Sequence, residues 1–100
     1  MVKHIVIWKL KEEAEGADKH ENAVKVKVLL ESLIDRIPSV CKLEVGIDFS
    51  GTAASGDIVL YAEFADHAAF EAYKIHPEYQ TVIDVVRSVI TEGRFVDYEV

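Results

Sequence analysis

Apolar residues along this chain switch between two spacings, and the order of the switches limits what it can fold into. In "VKHIVIWKL" they alternate: Val2, His4, Val6, Trp8 and Leu10 fall on one side, and Lys3, Ile5, Ile7 and Lys9 on the other. Period two with many β-branched residues describes a strand. From Asp18 to about Arg36 the period lengthens. Ala23, Val26, Leu29, Leu30, Leu33 and Ile37 form one stripe at helical spacing. "VKVKV" at 24–28 also alternates, but its continuation into "LLESLIDRI" favours helix. Asp18 and Glu21 have the spacing of a capping box, and Pro38 stops the helix. The preceding "EEAEGADKHE" reads as a polar loop.

Alternation returns in "VCKLEVGIDF", with Cys41, Leu43, Val45 and Ile47 on one face and Cys41 read as a small buried hydrophobe. It continues in "DIVLYAEF", with Ile58, Leu60, Ala62 and Phe64 inward, after the flexible joint "SGTAASG". A second helical stretch starts with Asp66 as N-cap and is interrupted at Pro77. It resumes with Tyr79, Val82, Val85, Val86 and Val89 on one stripe, and Gly93 ends it. "RFVDYEV" closes the chain as a strand.

Strand, helix, strand, strand, helix, strand is the ferredoxin-like, split βαβ order. The expectation is an α+β fold in one domain, residues 1–100: a four-stranded antiparallel sheet, βαββαβ, with helices on one face. The other face mixes Ile5, Ile7, Val59 and Tyr61 with Lys3, Lys9, Lys42, Glu44 and Glu63. An apolar patch on an open sheet marks an interaction surface, and burying it against its twin gives a closed dimer. A homodimer through the open sheet face is therefore expected.

At 100 residues, 50% of them hydrophobic, the chain has material for a single core. It contains no apolar run of the roughly 20 residues that a membrane span needs. Its opening apolar run is shorter than the roughly 7–15 residues of a signal peptide, so the expected location is cytoplasmic. A net charge of −7 argues against nucleic acid and anionic membranes as partners. One cysteine excludes an internal disulfide and a cysteine-based zinc site. His4, His76 and Glu78 have no recognised ligand spacing, so no metal is expected, and nothing calls for a cofactor.

The stretch "FEAYKIHPEYQ" breaks a helix at a His-Pro pair. Proline disfavours helix for the residue before it and is comfortable in the first helical position, so His76 becomes an N-cap. The break presents Tyr73 and Tyr79 from two short helices, both toward the sheet, where His4 and Trp8 point from the first strand.

"HIVIWKLK", "IPSVCKLEVGIDF", "YAEFADHAAFEAYKIHPEYQ" and "VDYEV" resemble the stress-responsive A/B barrel domain, or Dabb, family over residues 3–99. "AYKIHPEY", "VDYE" and the glycine of "LEVGID" are the most specific parts. The resemblance implies a ferredoxin-like fold and dimers in which two sheets form an α/β barrel. Among similar proteins, plant polyketide cyclases use a tyrosine at the position of Tyr73 and a histidine at the position of Tyr79. This chain keeps the tyrosine and the histidine before proline, His76, but carries Tyr79 in place of the second histidine. The same barrel hosts cofactor-free monooxygenases, isomerases and haem-binding enzymes, so fold alone assigns no reaction.

Two readings of the site follow. In the first, a small apolar molecule binds between helices and sheet against Val6, Trp8, Leu30, Leu60, Tyr79 and Val82. In the second, the chain is a cofactor-free enzyme acting on a carbonyl or polyketide-like substrate. His4 or His76 then moves a proton, since imidazole titrates near neutrality, and Tyr73 donates to a developing enolate.

Overall fold

A computed structural model describes residues 1–100. The chain forms β1 (Val2–Leu10), β2 (Glu13–Ala14), β3 (Ala17–Asp18), α1 (Lys19–Glu31), β4 (Val40–Ile47), β5 (Ile58–Phe64), α2 (His67–Lys74), α3 (Pro77–Val89) and β6 (Ile90–Glu99). The main sheet is antiparallel in the order β4-β5-β1-β6. The fold is the ferredoxin-like α+β arrangement expected from the periodicities.

β1 and β5 keep strict alternation, and their inward residues are buried. Side chains directly opposite across an antiparallel pair share a face. Val6 therefore sits between Leu60 and Phe95, and His4 between Ala62 and Asp97. The inward sets of β1 and β5 join Leu30, Leu33, Phe70, Tyr73, Val82 and Val86 in one core.

Four local readings are corrected. The polar segment before α1 is a small hairpin, β2–β3, whose two turn residues Glu15 and Gly16 both have positive φ. A two-residue hairpin turn needs that conformation. Buried Asn22 pins the hairpin by donating from Nδ2 to the carbonyl of Ala14 at 3.0 Å. Second, α1 ends at Glu31 and a 3₁₀ turn covers Ser32–Asp35, where Ser32 Oγ donates to the Leu29 carbonyl at 2.6 Å. The capping box of Asp18 and Glu21 is present as expected.

Third, Cys41 is exposed rather than buried. A register shift between Val40 and Lys42 turns Val40 inward in its place, as an extra residue in a strand does. Fourth, Gly93 does not stop the helix. α3 gives way to β6 at Ile90, which is already extended, and Gly93 lies mid-strand opposite Trp8. A Cβ there would stand 2.8 Å from Trp8 Cδ1, so the glycine makes room for the indole.

The outer face of the sheet carries an apolar band. Ile5 lies between Tyr61 and Val96, and Ile7 between Val59 and Arg94. Charges flank it: Tyr61 donates to Glu63, and the ammonium groups of Lys3 and Lys42 lie 5.9 and 5.5 Å from the Tyr61 ring. No helix is long and apolar enough to cross a membrane.

Candidate functional site

Three helices of modest length do not cover four strands. α1 lies over β4, α2 over β4 and β5, and α3 packs against both helices. The inward side of β6 is left open, and a cleft of about 340 Å³ forms there. Its floor is His4, Val6 and Trp8 of β1 with Phe95 and Asp97 of β6. Its wall is Phe70 of α2 with Tyr79 and Ile83 of α3, and Lys74, Arg87 and Ile90 complete it.

The His-Pro break shapes the wall. His76 has extended backbone, and its Nδ1 accepts from the Glu78 N–H at 3.1 Å. Pro77 occupies the first helical position, where its missing N–H costs nothing. The chain turns between α2 and α3, so Phe70 and Tyr79 reach the same cleft. His76 itself is engaged as the cap and does not line the cleft.

His4 is the polar centre of the floor. It is 9% exposed, and its Nδ1 is hydrogen-bonded to Asp97 Oδ1 on the neighbouring strand. In the neutral imidazole a carboxylate beside one ring nitrogen fixes the proton there, so that Nδ1–H donates to Asp97 and Nε2 keeps its lone pair. Phe70 packs against the imidazole, ring centroids 5.0 Å apart. The arrangement is an oriented base in an apolar cleft.

Tyr73 is fully buried behind Tyr79, ring centroids 4.6 Å apart, and its hydroxyl has no hydrogen-bond partner. Burial, and then the neighbouring Tyr79, push its pKa well above the ordinary tyrosine value. Tyr73 therefore stays protonated at neutral pH, a hydrogen-bond donor and not a base. Burial also raises Tyr79, while Arg87 and Lys74 pull it back down.

Of the residues singled out in the sequence, His4, Val6, Trp8 and Tyr79 come together on the cleft. Leu30, Leu60 and Val82 lie in the closed core beside it, and Tyr73 lies behind its wall. Asp97, Phe95, Lys74 and Arg87 were missed. The signal for Asp97 is the β1–β6 register, in which His4 stands opposite it; alternation alone does not supply a register. No three His, Cys, Asp or Glu side chains converge as metal ligands.

The family model of the stress responsive A/B barrel domain, Dabb, matches residues 2–100. The chain belongs to the Dabb family. A dimeric protein of unknown function and ferredoxin-like fold from Bacteroides fragilis is 28% identical, with TM-score 0.83, covering 99% of this chain and 95% of that one. A Dabb family protein from Mesorhizobium loti is 24% identical, with TM-score 0.71, covering 98% and 94%. The hydroxynitrile lyase of Passiflora edulis is 15% identical, with TM-score 0.80, covering 97% and 90%, and shares the fold. No curated protein matches the sequence. Neighbours from Bacteroides fragilis and Thermobifida fusca are described as dimeric, ferredoxin-like proteins of unknown function, while others on the same fold are named enzymes.

Proposed function

We propose that this Dabb protein is a cytoplasmic homodimer that binds a small, mostly apolar molecule in the cleft over β1 and β6. The cleft itself carries the reading. It is concave and lined mostly by apolar side chains, Trp8, Phe70, Ile83 and Phe95 among them, with His4, Lys74, Arg87 and Asp97 as its polar groups, as small-molecule sites combine the two. Self-association rests on the outer face, where Ile5, Ile7, Val59 and Val96 form an apolar band, and on the dimeric neighbours.

The His4–Asp97 pair supports a second reading, cofactor-free proton transfer on a carbonyl compound. Asp97 orients the ring, and Nε2 takes a proton from a carbon next to the carbonyl. Tyr73, kept protonated by burial, serves as hydrogen-bond donor to the enolate once Tyr79 moves aside.

Native mass spectrometry of the protein from its own host tests the first reading. The expected result is a dimer carrying a small-molecule adduct. A monomer contradicts the assembly, and a bare protein that also takes up no apolar ligand on titration contradicts the cleft. For the second reading, His4→Ala and Tyr73→Phe are expected to abolish turnover in a folded protein. Loss of the fold in both variants assigns these residues to the core instead.

A further inference from the structure

Building on the homodimer reading, we propose that the side chains of the outer face select one pairing of two copies. The two-fold axis runs along the strands over the seam between β5 and β1, with Lys3 on the partner's Glu63 and Arg94 beside the partner's Phe49. The strand register sets the outward side chains in rows across β4, β5, β1 and β6. One row is Lys42, Glu63, Lys3 and Tyr98; the next is Glu44, Tyr61, Ile5 and Val96; the third is Gly46, Val59, Ile7 and Arg94. Along the two central strands the face thus passes from charged, at Glu63 and Lys3, to apolar, at Val59 and Ile7.

Two sheets that meet face to face are related by an axis in the plane between them, either across the strands or along them. An axis across the strands exchanges the two ends of the face. It sets Lys3 over the partner's Ile7 and Glu63 over the partner's Val59. Charges taken out of water against apolar side chains are costly. An axis along the strands returns each row to itself in reverse. Lys3 then meets the partner's Glu63 and Glu63 the partner's Lys3, while Tyr61 meets the partner's Ile5 and Val59 the partner's Ile7. Lys42 comes over the ring of the partner's Tyr98. Glu44, at the rim, has the partner's Arg94 one row away. Within one chain Lys3 and Glu63 stand opposite each other, yet Glu63 accepts from Tyr61. The Lys3 ammonium is left for a carboxylate of the partner.

The apolar end carries a second feature of the same kind. A notch of about 270 Å³ lies beside Ile7 and Val59, over the bare backbone of Gly46. Phe49 on its rim is 100% exposed. The loop that holds this ring is pinned, since Asp48 accepts from the Gly51 N–H at 2.8 Å and from Ser55 Oγ at 3.0 Å. A positioned, uncovered aromatic ring has the form of an interface anchor. The axis along the strands brings the partner's Arg94 from the opposite edge of its sheet over Gly46, next to this ring. The Arg94 side chain is itself 82% exposed, and guanidinium groups stack on aromatic faces.

The test mixes K3E chains with ¹⁵N-labelled E63K chains and weighs the dimers by native mass spectrometry, with sedimentation for affinity and thermal melts as a folding control. Each variant alone is expected to dimerise at least about tenfold more weakly than wild type, because like charges then face each other. The mixture is expected to regain wild-type affinity and to hold almost only mixed dimers. Mixed dimers at the statistical proportion, or a mixture that associates as weakly as its components, overturn the axis and leave the homodimer standing. A monomeric wild type overturns both. F49A and R94A give an independent reading, since both alter exposed side chains at opposite edges of one chain. Each is expected to weaken the dimer about fivefold, and the double variant no further than either alone, as residues that touch across an interface do. Losses that simply add overturn the Arg94–Phe49 contact.

Discussion

At the β4 edge of the sheet the helical layer closes; at the β6 edge it does not. Leu30 and Leu33 cover Val45, Leu60 and Phe64, all buried. α1 even reaches the free backbone of the edge strand. Lys27 Nζ donates to the Val45 carbonyl, and Glu31 accepts from the Val45 N–H at 3.3 Å. That blunts a strand edge which would otherwise seek a partner. On β6, by contrast, every residue from Thr91 to Glu99 is exposed, and Phe95 keeps 69% of its surface in water. The difference separates two roles in the fold: the closed edge supplies stability, and the open edge leaves a cleft with His4 and Asp97 on its floor.

The largest expected effect breaks the closed side. Phe64→Ala should cost about 3–5 kcal/mol in urea unfolding, since the ring is fully buried. Phe95→Ala on the open side should cost less than about 0.5 kcal/mol. Equal costs would mean that the two edges are covered alike. Next, Gly93→Val drives a side chain into Trp8 and should cost about 1–3 kcal/mol with a shift in tryptophan emission. Unchanged emission would remove the close contact from the account.

Glu31→Leu takes the acceptor from the Val45 N–H and should cost about 1 kcal/mol, with a rise in association through the bared edge on sedimentation. Tyr73→Phe should also have a small effect. The lost hydroxyl has no partner, so stability should stay within about 1 kcal/mol of wild type or rise. The pH dependence has a definite sign. Tyr73 has a raised pKa in the folded chain, so its contribution is fully present below the ordinary tyrosine value of about 10. Above it the unfolded chain ionises first, and stability falls as pH climbs. Tyr73→Phe should flatten that alkaline loss, and an unchanged slope would place the ring in water.

Much of the closed side was legible in the sequence, because burial on one face forces strict alternation in β1 and β5. The helix stripe with Ala23, Val26 and Leu30 and the His76 cap were legible for similar local reasons. What was not legible depends on pairing. The shift that exposes Cys41 and buries Val40 is set by β5, not by the residues of β4 alone. Gly93 looks like a helix stop until Trp8 is placed opposite it. Asp97 belongs to the site only through its register with His4, and Lys74 and Arg87 only through the turn between two helices.

The tautomer of His4 tests the central claim most directly. Long-range ¹H–¹⁵N spectra of the neutral imidazole distinguish the two ring nitrogens. The account predicts a proton on Nδ1, held by Asp97, with Nε2 free toward the cleft, and loss of that preference in Asp97→Asn. A proton on Nε2, or a spectrum unmoved by Asp97→Asn, would contradict it.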